Sequence, residues 1–398
     1  MTRRKAITIF AAAIILFGST TLTSCREDDP VIPPTPEQVQ DPAIPVPGQD
    51  GYTLQGFYML NEGNMGTNKS TLDYMDFSTG VYTRNIYATA NPNQPMELGD
   101  VGNDLAIYGS KLWAVINCSN KIEVMRAKDA VRIGQIDIPN CRSIVFHKGY
   151  AYVTSYAGPV EIKPDYTQKG FVAKIDTATL QEVGRCVVGF QPDGIAVSGD
   201  KLYVANSGGY MVPNYENTMS VIDIASFMEV KKVKVAINLN HVIADKHGNV
   251  WVSSRGDYYN VKSKLYCYNP SKGVVTDSID TPVSAMTLKG DSIYIVSSAW
   301  SNITMSDVAS TAIVNTATRS KVSDGFVAAD IMTALKKPYA IAVNPVNGDI
   351  YITDAGNYVT PGWLYCLKPD GTQRWRQRTG DIPAHFAFYA TIEKKLNK

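Results

Sequence analysis

The chain has 398 residues and almost no net charge, because 38 Lys and Arg residues balance 37 Asp and Glu residues. A surface without excess positive charge does not attract polyanions, so the composition argues against nucleic-acid binding. The sequence also lacks a P-loop, a Rossmann fingerprint, an H-E-x-x-H motif and a C-x-x-C pair, which excludes the enzyme classes that those motifs mark.

The first residues have the pattern of a lipoprotein signal peptide. Residues 1–5 are basic and residues 6–18 are apolar, and that apolar stretch is too short to span a bilayer comfortably. The following Leu22-Thr23-Ser24-Cys25 matches a bacterial lipobox. The sequence therefore predicts a signal peptide over residues 1–24 and lipidation of Cys25, and a plain secretory signal with an unrelated cysteine is the alternative.

Residues 25–51 are predicted to be a tether between the lipid and a folded domain. Cys25 is followed by Arg26-Glu27-Asp28-Asp29, an acidic run that resembles the surface-export signal of Bacteroidota lipoproteins; the alternative is an ordinary solvated linker. Seven prolines between positions 30 and 47 favour an extended chain. These features predict a lipid-anchored protein of the outer membrane that is exposed at the cell surface.

Residues 52–398 are predicted to form one domain of seven repeats. Each repeat contains a strand with Tyr or Trp beside Val or Ile, followed by a polar, Gly-rich loop, at spacings of 39 to 57 residues. A period of this length with several short strands is typical of a β-propeller blade. The aromatic residues that mark the repeats are Tyr58, Trp113, Tyr152, Tyr203, Trp251, Tyr294 and Tyr351.

Every repeat is predicted to contain four strands, a to d. In the repeat over residues 191–235, for example, the strands are residues 194–197, 201–205, 219–223 and 229–235. The turns between strands a and b and between strands c and d are rich in Gly, Asn and Asp, which tolerate the backbone angles of tight turns. No long helix-period segment competes with this all-β interpretation.

The two ends of the chain are predicted to share one blade. The first repeat begins at strand b, without a strand a before it, whereas residues 382–389 at the other end match the strand-a pattern. Pairing these ends would cover edges that are otherwise exposed. The sequence thus predicts a seven-bladed β-propeller whose ring is closed by the C-terminal strand.

The cysteines after Cys25 fall into two groups. Cys186, Cys267 and Cys366 lie within predicted strands and are expected to be buried apolar residues. Cys118 and Cys141 lie in connections that emerge on one face, where an oxidising exterior permits a disulfide. Sequence leaves open whether these two are bonded.

The loops between strands b and c and between strands d and a are predicted to share one face of the ring, here called the loop face. They are longer than turns require and carry amide, hydroxyl and aromatic groups, which suits binding of a large neutral or sugar-like ligand. No catalytic triad or paired-carboxylate pattern recurs there, so no enzyme activity and no cofactor are predicted. The candidate ligand-binding residues are Asn61, Glu62, Asn117, Tyr156, Asn206, Tyr210, Arg255, Tyr258, Trp300, Asn357 and Tyr358.

Two other functions remain open from the residues alone. Asp104 and Asp193 occupy similar places in their repeats and could bind a cation in the channel, as a propeller hydrolase or lactonase would, or bond neighbouring backbone N–H groups. A scaffold that binds a protein or glycan would instead present a flat loop face without a ligand-sized pocket.

The repeated phrases resemble those of YncE-like propellers. Examples are Gly199-Asp200-Lys201-Leu202-Tyr203-Val204-Ala205-Asn206 and Ser220-Val221-Ile222-Asp223. With the lipobox, acidic run and Pro-rich tether, the whole mature chain resembles the surface propeller lipoproteins of gut Bacteroidota, most closely the BtuG family. This resemblance implies capture of cobalamin and related corrinoids on one face and transfer to a TonB-dependent, BtuB-like outer-membrane transporter. It assigns no individual binding residue, because no short motif marks one.

Overall fold

A computed structural model describes residues 52–301 and 306–392, together with the backbone of Glu37–Gln38 and Ile44–Pro45. The predicted signal peptide, Cys25 and the acidic export run lie outside these residues. Two dipeptides of the predicted tether form short strands on blade 1, where β1 (Glu37–Gln38) pairs with its outer strand and β2 (Ile44–Pro45) with its second strand. None of the described helices is long and apolar enough to cross a membrane.

The described chain is a seven-bladed β-propeller, as the sequence predicted. Each blade is a sheet of four antiparallel strands in the order a, b, c, d. Blades 1 to 4 contain β30 (Pro383–Ile392), β3 (Tyr52–Asn61), β4 (Thr71–Asp76), β5 (Val81–Thr83); β6 (Gly102–Tyr108), β7 (Lys111–Ile116), β8 (Lys121–Arg126), β9 (Arg132–Asp137); β10 (Cys141–His147), β11 (Tyr150–Ser155), β12 (Phe171–Asp176), β13 (Glu182–Val187); and β14 (Pro192–Ser198), β15 (Lys201–Asn206), β16 (Thr218–Asp223), β17 (Met228–Lys234). Blades 5 to 7 contain β18 (Leu239–Ala244), β19 (Val250–Ser254), β20 (Lys264–Asn269), β21 (Val274–Ile279); β22 (Ala285–Lys289), β23 (Ser292–Ser301), β24 (Ser306–Asn315), β25 (Ser320–Ser323); and β26 (Pro338–Val343), β27 (Ile350–Asp354), β28 (Pro361–Leu367), β29 (Gln373–Asp381).

The closure of the ring is also confirmed. The C-terminal strand β30 pairs with β3 in antiparallel register from Tyr52 opposite Ile392 to Asn61 opposite Pro383. Blade 1 therefore takes its strand a from the end of the chain and its other strands from the beginning. Two short helices, α1 (Ile86–Ala90) and α2 (Ala329–Ala334), interrupt the connections before blades 2 and 7.

The hydrophobic core lies between the blades rather than inside any one of them. Among the described residues, buried apolar side chains form seven clusters, and each cluster joins strands of two neighbouring blades. The seven repeat-marking aromatics all lie on strand b, and all except the partly buried Tyr294 are buried. A blade exposes two apolar faces when alone, so it becomes stable only by stacking between neighbours.

The inner strands approach each other closely where they line the channel. A Cβ atom added to Gly194 in β14 would lie 2.4 Å from the carbonyl oxygen of Asn240 in the next blade. That distance is below van der Waals contact, so only glycine allows the two strands a to approach each other in this way.

Candidate ligand-binding site on the loop face

The inner strands begin with a local irregularity that places polar residues at the loop-face end of the channel. In blades 3, 4, 5 and 7, two residues of strand a lie between consecutive residues that pair with strand b; in blade 3 they lie between Cys141 and Ile144. Such a bulge interrupts the side-chain alternation of a strand and redirects side chains. The Thr154 hydroxyl accepts the N–H of Ser143 inside the bulge, so this backbone donor stays satisfied.

Asp193, in the bulge of blade 4, accepts hydrogen bonds from three side chains. Arg142 Nε donates to Oδ1 at 3.1 Å, Tyr156 OH donates to Oδ1 at 2.6 Å, and Arg255 Nη1 donates to Oδ2 at 2.7 Å. Arg142 and Tyr156 belong to blade 3, whereas Arg255 lies in the b–c loop of blade 5. These four residues, here called the Asp193 cluster, therefore join three consecutive blades.

The Asp193 carboxyl and the two guanidinium groups of the Asp193 cluster are charged at neutral pH. Burial alone would raise the pKa of Asp193, but Arg255 and Arg142 lower it to about 2. Burial would likewise lower the pKa of Arg142, yet Tyr156 and Asp193 raise it above its ordinary value. Burial raises the pKa of the Tyr156 hydroxyl, which therefore remains a neutral donor to the carboxylate.

Aromatic rings extend this cluster toward solvent. The Arg142 guanidinium lies 4.9 Å from the centre of the Tyr156 ring, a cation–π contact. The Tyr210 ring meets the Tyr156 ring edge-on at 6.4 Å. Tyr156 itself is buried, whereas Tyr210 is partly exposed, so Tyr210 is the aromatic of this group that a ligand can contact.

A second polar group lies at the same end of the channel and is here called the Glu62 group. The Tyr339 hydroxyl donates to Glu62 Oε2 at 2.8 Å, and His385 Nε2 lies 3.3 Å from Glu62 Oε1. The Tyr358 ring contacts the Tyr339 ring edge-on at 5.9 Å. Burial and Glu62 raise the pKa of Tyr339, whereas Arg142 opposes them, which shows that the two groups lie within electrostatic reach of each other.

Three of the predicted amide contacts lie inside the protein. Asn206 Nδ2 donates to Thr218 and Ser220, and its Oδ1 accepts the N–H of Gly189. Asn117 and Asn61 are also buried: Asn117 Nδ2 donates to Asn140 Oδ1 and to the Cys141 carbonyl, and Asn61 Nδ2 donates to Thr71 Oγ1. These hydrogen bonds hold the loops in place, and the direct ligand contact expected for the three amides stays a prediction.

The remaining predicted residues are spread around the rim of the loop face. Tyr258 and Asn357 are exposed, and Tyr358 is exposed next to the Glu62 group. Asn357 Oδ1 accepts the N–H groups of Val359 and Thr360, which shapes its own loop. Trp300 lies on β23, but its side chain is outside the part of the chain that the structure describes.

Cys118 and Cys141 are both free thiols in the structure. Cys141 is buried, with Sγ at 3.4 Å from the Lys121 carbonyl oxygen, whereas Cys118 is exposed, with Sγ at 3.4 Å from Asn117 Oδ1. The two sulfur atoms contact different polar atoms and are not joined as a disulfide in the structure. Cys186, Cys267 and Cys366 are buried as predicted.

The carboxylate of Asp104 is bound by backbone N–H groups of the protein. Its carboxylate accepts the N–H of Leu105 and the N–H of Ile144 on the neighbouring blade, at 2.8 and 2.9 Å. Over residues 52–301 and 306–392, no three His, Cys, Asp or Glu side chains come together as a metal site would require. Asp104 and Asp193 thus have protein partners, the former backbone groups and the latter arginines.

His241 should make stability depend on pH. Burial is the main reason that its pKa is lowered to about 4, and because a carbonyl only accepts, its Nε2 must donate to the Ser284 oxygen at 2.8 Å. In the unfolded chain His241 binds a proton near pH 6.5, whereas in the folded protein it does so only near pH 4. The folded protein therefore keeps its full stability above pH 6.5 and loses stability as the pH decreases toward 4. Thermal unfolding of wild type and His241→Gln across this range should show the slope reduced in the variant; equal slopes would contradict the assignment.

Two clefts on the described surface are open to solvent. They have volumes of about 380 Å³, beside residues 159–168, and about 260 Å³, beside residues 90–94 and Arg132. Neither contains a member of the Asp193 cluster or the Glu62 group.

Arg142 and Tyr339 were not predicted as members of the site. His385 was expected near the channel mouth as a structural residue, with ligand contact as the alternative, and Asp193 as a cation ligand or a partner of backbone N–H groups. All four lie within the first three residues of a strand a. The available signal was positional, because polar or aromatic residues just after the first residue of strand a recur from blade to blade. The bulges that bring them together are not visible in a strand pattern.

The comparisons with known proteins agree with the fold. A family model described as Domain of unknown function (DUF5074) matches residues 55–367, and no curated protein matches significantly. A quinoprotein alcohol dehydrogenase-like protein from Bacteroides thetaiotaomicron is 14% identical over 84% of this chain and 78% of its own, with a TM-score of 0.57. Kuenenia stuttgartiensis hydrazine synthase is 14% identical over 75% and 96%, with a TM-score of 0.57, and apo AztD from Citrobacter koseri is 12% identical over 85% and 99%, with a TM-score of 0.51. At such low identities the similarity shows the propeller fold alone.

Proposed function

Since the chain belongs to the DUF5074 family, whose description assigns no activity, we propose its function from the loop face: the protein captures a bulky polar ligand there and is not an enzyme. The observation that carries this proposal is the convergence of the Asp193 cluster and the Glu62 group. Their residues come from blades 1, 3, 4, 5 and 7 and are locked by mutual hydrogen bonds. A site fixed before binding loses little entropy when the ligand arrives.

A corrinoid such as cobalamin is the ligand that we propose. It presents amide side chains around a macrocycle with apolar edges and carries a nucleotide tail. The loop face offers tyrosine rings at Tyr210, Tyr258 and Tyr358 for the apolar edges, and polar groups at Glu62 and Arg255 for the amides. We propose that the corrinoid lies over the channel mouth, beside these side chains. The resemblance to the BtuG family is the reason for choosing corrinoids among bulky polar ligands.

We further propose that the protein works at the outer membrane. Lipidation at Cys25 and the tether would hold the propeller on the cell surface, beside a TonB-dependent transporter. Tethering raises the effective concentration of captured ligand at the transporter without any new contact. The captured corrinoid would then pass from the loop face to the transporter.

Calorimetric titration of the full-length protein in mild detergent with cyanocobalamin tests the proposal. We expect one-to-one binding, weakened about 10-fold or more by Tyr210→Ala and by Tyr258→Ala, because exposed aromatics at binding sites often contribute above about 1 kcal/mol each. Met228→Ala is the matched control, since Met228 is 64% exposed at the start of β17 on the opposite face. No heat from folded protein would reject corrinoid capture.

A scaffold that binds a protein is the second candidate. Tyr258 and Tyr259 are 64% and 82% exposed on one loop of blade 5, and adjacent exposed aromatics are typical of protein-contact sites. If cyanocobalamin does not bind, cross-linking on intact cells through this loop would identify the partner. Loss of the cross-link in Tyr258→Ala and Tyr259→Ala would support the scaffold.

A further inference from the structure

We propose that Arg142 and Arg255 together bind one singly charged oxyanion of the ligand and that Asp193 positions them. This inference rests on the proposed function and deepens it, because it names a chemical group that the loop face recognises. The group is a carboxylate or a phosphodiester. Arg142 and Asp193 were not predicted as ligand contacts, whereas Arg255 was predicted without a defined role.

The charge balance of the Asp193 cluster is the first argument. Arg142 and Arg255 lie 3.1 and 2.7 Å from oxygens of Asp193. Within the described residues no other carboxylate lies within ion-pair distance of either guanidinium. Two cations therefore share one anion, and an unbalanced charge in partly desolvated surroundings is unfavourable. A bound oxyanion would neutralise it.

Unused hydrogen-bond donors are the second argument. A guanidinium carries five N–H donors, and among the described residues each of these two arginines uses one, toward Asp193. Their remaining guanidinium nitrogens have no hydrogen-bond partner among the described residues and are not among the buried unpaired atoms, so they reach solvent. The side chains are 20% and 29% exposed. Arginine donors in this arrangement match the oxygen pairs of carboxylates and phosphates.

The third argument is that Arg142 and Arg255 are held in fixed positions. The Asp193 side chain is only 5% exposed, and Tyr156 both donates a hydrogen bond to it and makes a cation–π contact with Arg142. The nearby His241 is neutral at physiological pH, and Glu62 contacts Tyr339 and His385 rather than an arginine. No described neighbour thus competes for the remaining donors.

The direct test uses the simplest oxyanions and the full-length protein in detergent. Arginine Nε–Hε signals are followed by NMR while dimethyl phosphate or acetate is added. We expect saturable shifts at Arg142 and Arg255, weakened about 10- to 100-fold in Arg142→Gln and Arg255→Gln, because hydrogen bonds to charged groups contribute about 1.5–3 kcal/mol. Arg126→Gln is the matched control, since Arg126 is also paired with an aspartate, Asp129, but at a turn on the opposite face.

Thermal unfolding verifies that each variant is folded. If a Gln variant does not fold, the corresponding Lys variant, Arg142→Lys or Arg255→Lys, replaces it. Lysine keeps the positive charge but lacks the planar set of guanidinium donors, so these variants should bind the oxyanion more weakly than wild type. Absence of shifts in folded wild type, or equal affinity in wild type and both arginine variants, would overturn the inference.

A second comparison identifies the source of the oxyanion. Cobalamin carries a phosphodiester in its nucleotide tail, whereas cobinamide lacks that tail. If the phosphodiester is recognised, wild type should prefer cobalamin about 10-fold or more, and Arg255→Gln should remove the preference. Oxyanion shifts without corrinoid binding would reject the corrinoid while supporting the arginine site, and would indicate a ligand with a carboxylate or another phosphodiester.

Discussion

Deletion of β30 should prevent the protein from folding into a closed ring. The strand pairs with β3 along its length, and its Phe386 and Phe388 pack against Phe57 in the cluster between blades 7 and 1. Without it, blade 1 loses its inner strand and blade 7 loses a neighbour. Each hydrogen bond contributes about 1 kcal/mol and each partly buried ring about 1–3 kcal/mol, so the total loss is comparable with the whole folding free energy of about 5–15 kcal/mol.

Circular dichroism and thermal unfolding would measure this effect. A chain that ends at Ile392 is the control, because it keeps all of β30 and should unfold cooperatively. A peptide of residues 383–392 added to the shortened chain should restore part of the native signal, since it supplies the missing edge pairing. Cooperative unfolding of the shortened chain at the wild-type temperature would contradict the role of β30.

Replacement of Asp193 by Asn should lower the free energy of unfolding by about 3 kcal/mol. The change removes the only described carboxylate that is paired with Arg142 and Arg255 and leaves two guanidinium groups without a counter-charge. Breaking a buried ion pair costs about 3–5 kcal/mol, and the lower end applies because the arginines are partly solvated. The loss should appear as a lower midpoint in urea with an unchanged slope.

The effect should depend on pH and on the arginines. The pKa of Asp193 lies at about 2 in the folded protein, below 3.8 in the unfolded chain, so its contribution is complete above pH 3.8 and is lost as the pH falls through about 2. Adding Arg255→Gln to Asp193→Asn should recover part of the stability, because one unpaired charge disappears. Asp200→Asn, at an exposed pair with Lys148, is the control and should have little effect.

The members of the site could be predicted only in part. The loop face was predicted from loop length and composition. In the structure Tyr156 and Arg255 contact Asp193 and Tyr210 packs against Tyr156, whereas Glu62 contacts Tyr339 in the separate Glu62 group. Asn61, Asn117 and Asn206 were equally polar in sequence, yet blade packing buries them. Whether a polar side chain near a strand end faces solvent or a neighbouring loop is decided by contacts that lie outside its own repeat.

The sequence by itself determined the propeller, its seven repeats and the closure by the C-terminal strand, because these depend on local patterns of strands and turns that recur at a regular spacing. Only the tertiary structure decided how the Asp193 cluster and the Glu62 group form. Arg255 is 62 residues from Asp193, and Tyr339 is 277 residues from Glu62. The contact between Tyr339 and Glu62 joins blade 7 to blade 1, and the Asp193 cluster depends on the bulges of strand a that redirect side chains. Such contacts between blades are not visible in any short stretch of residues.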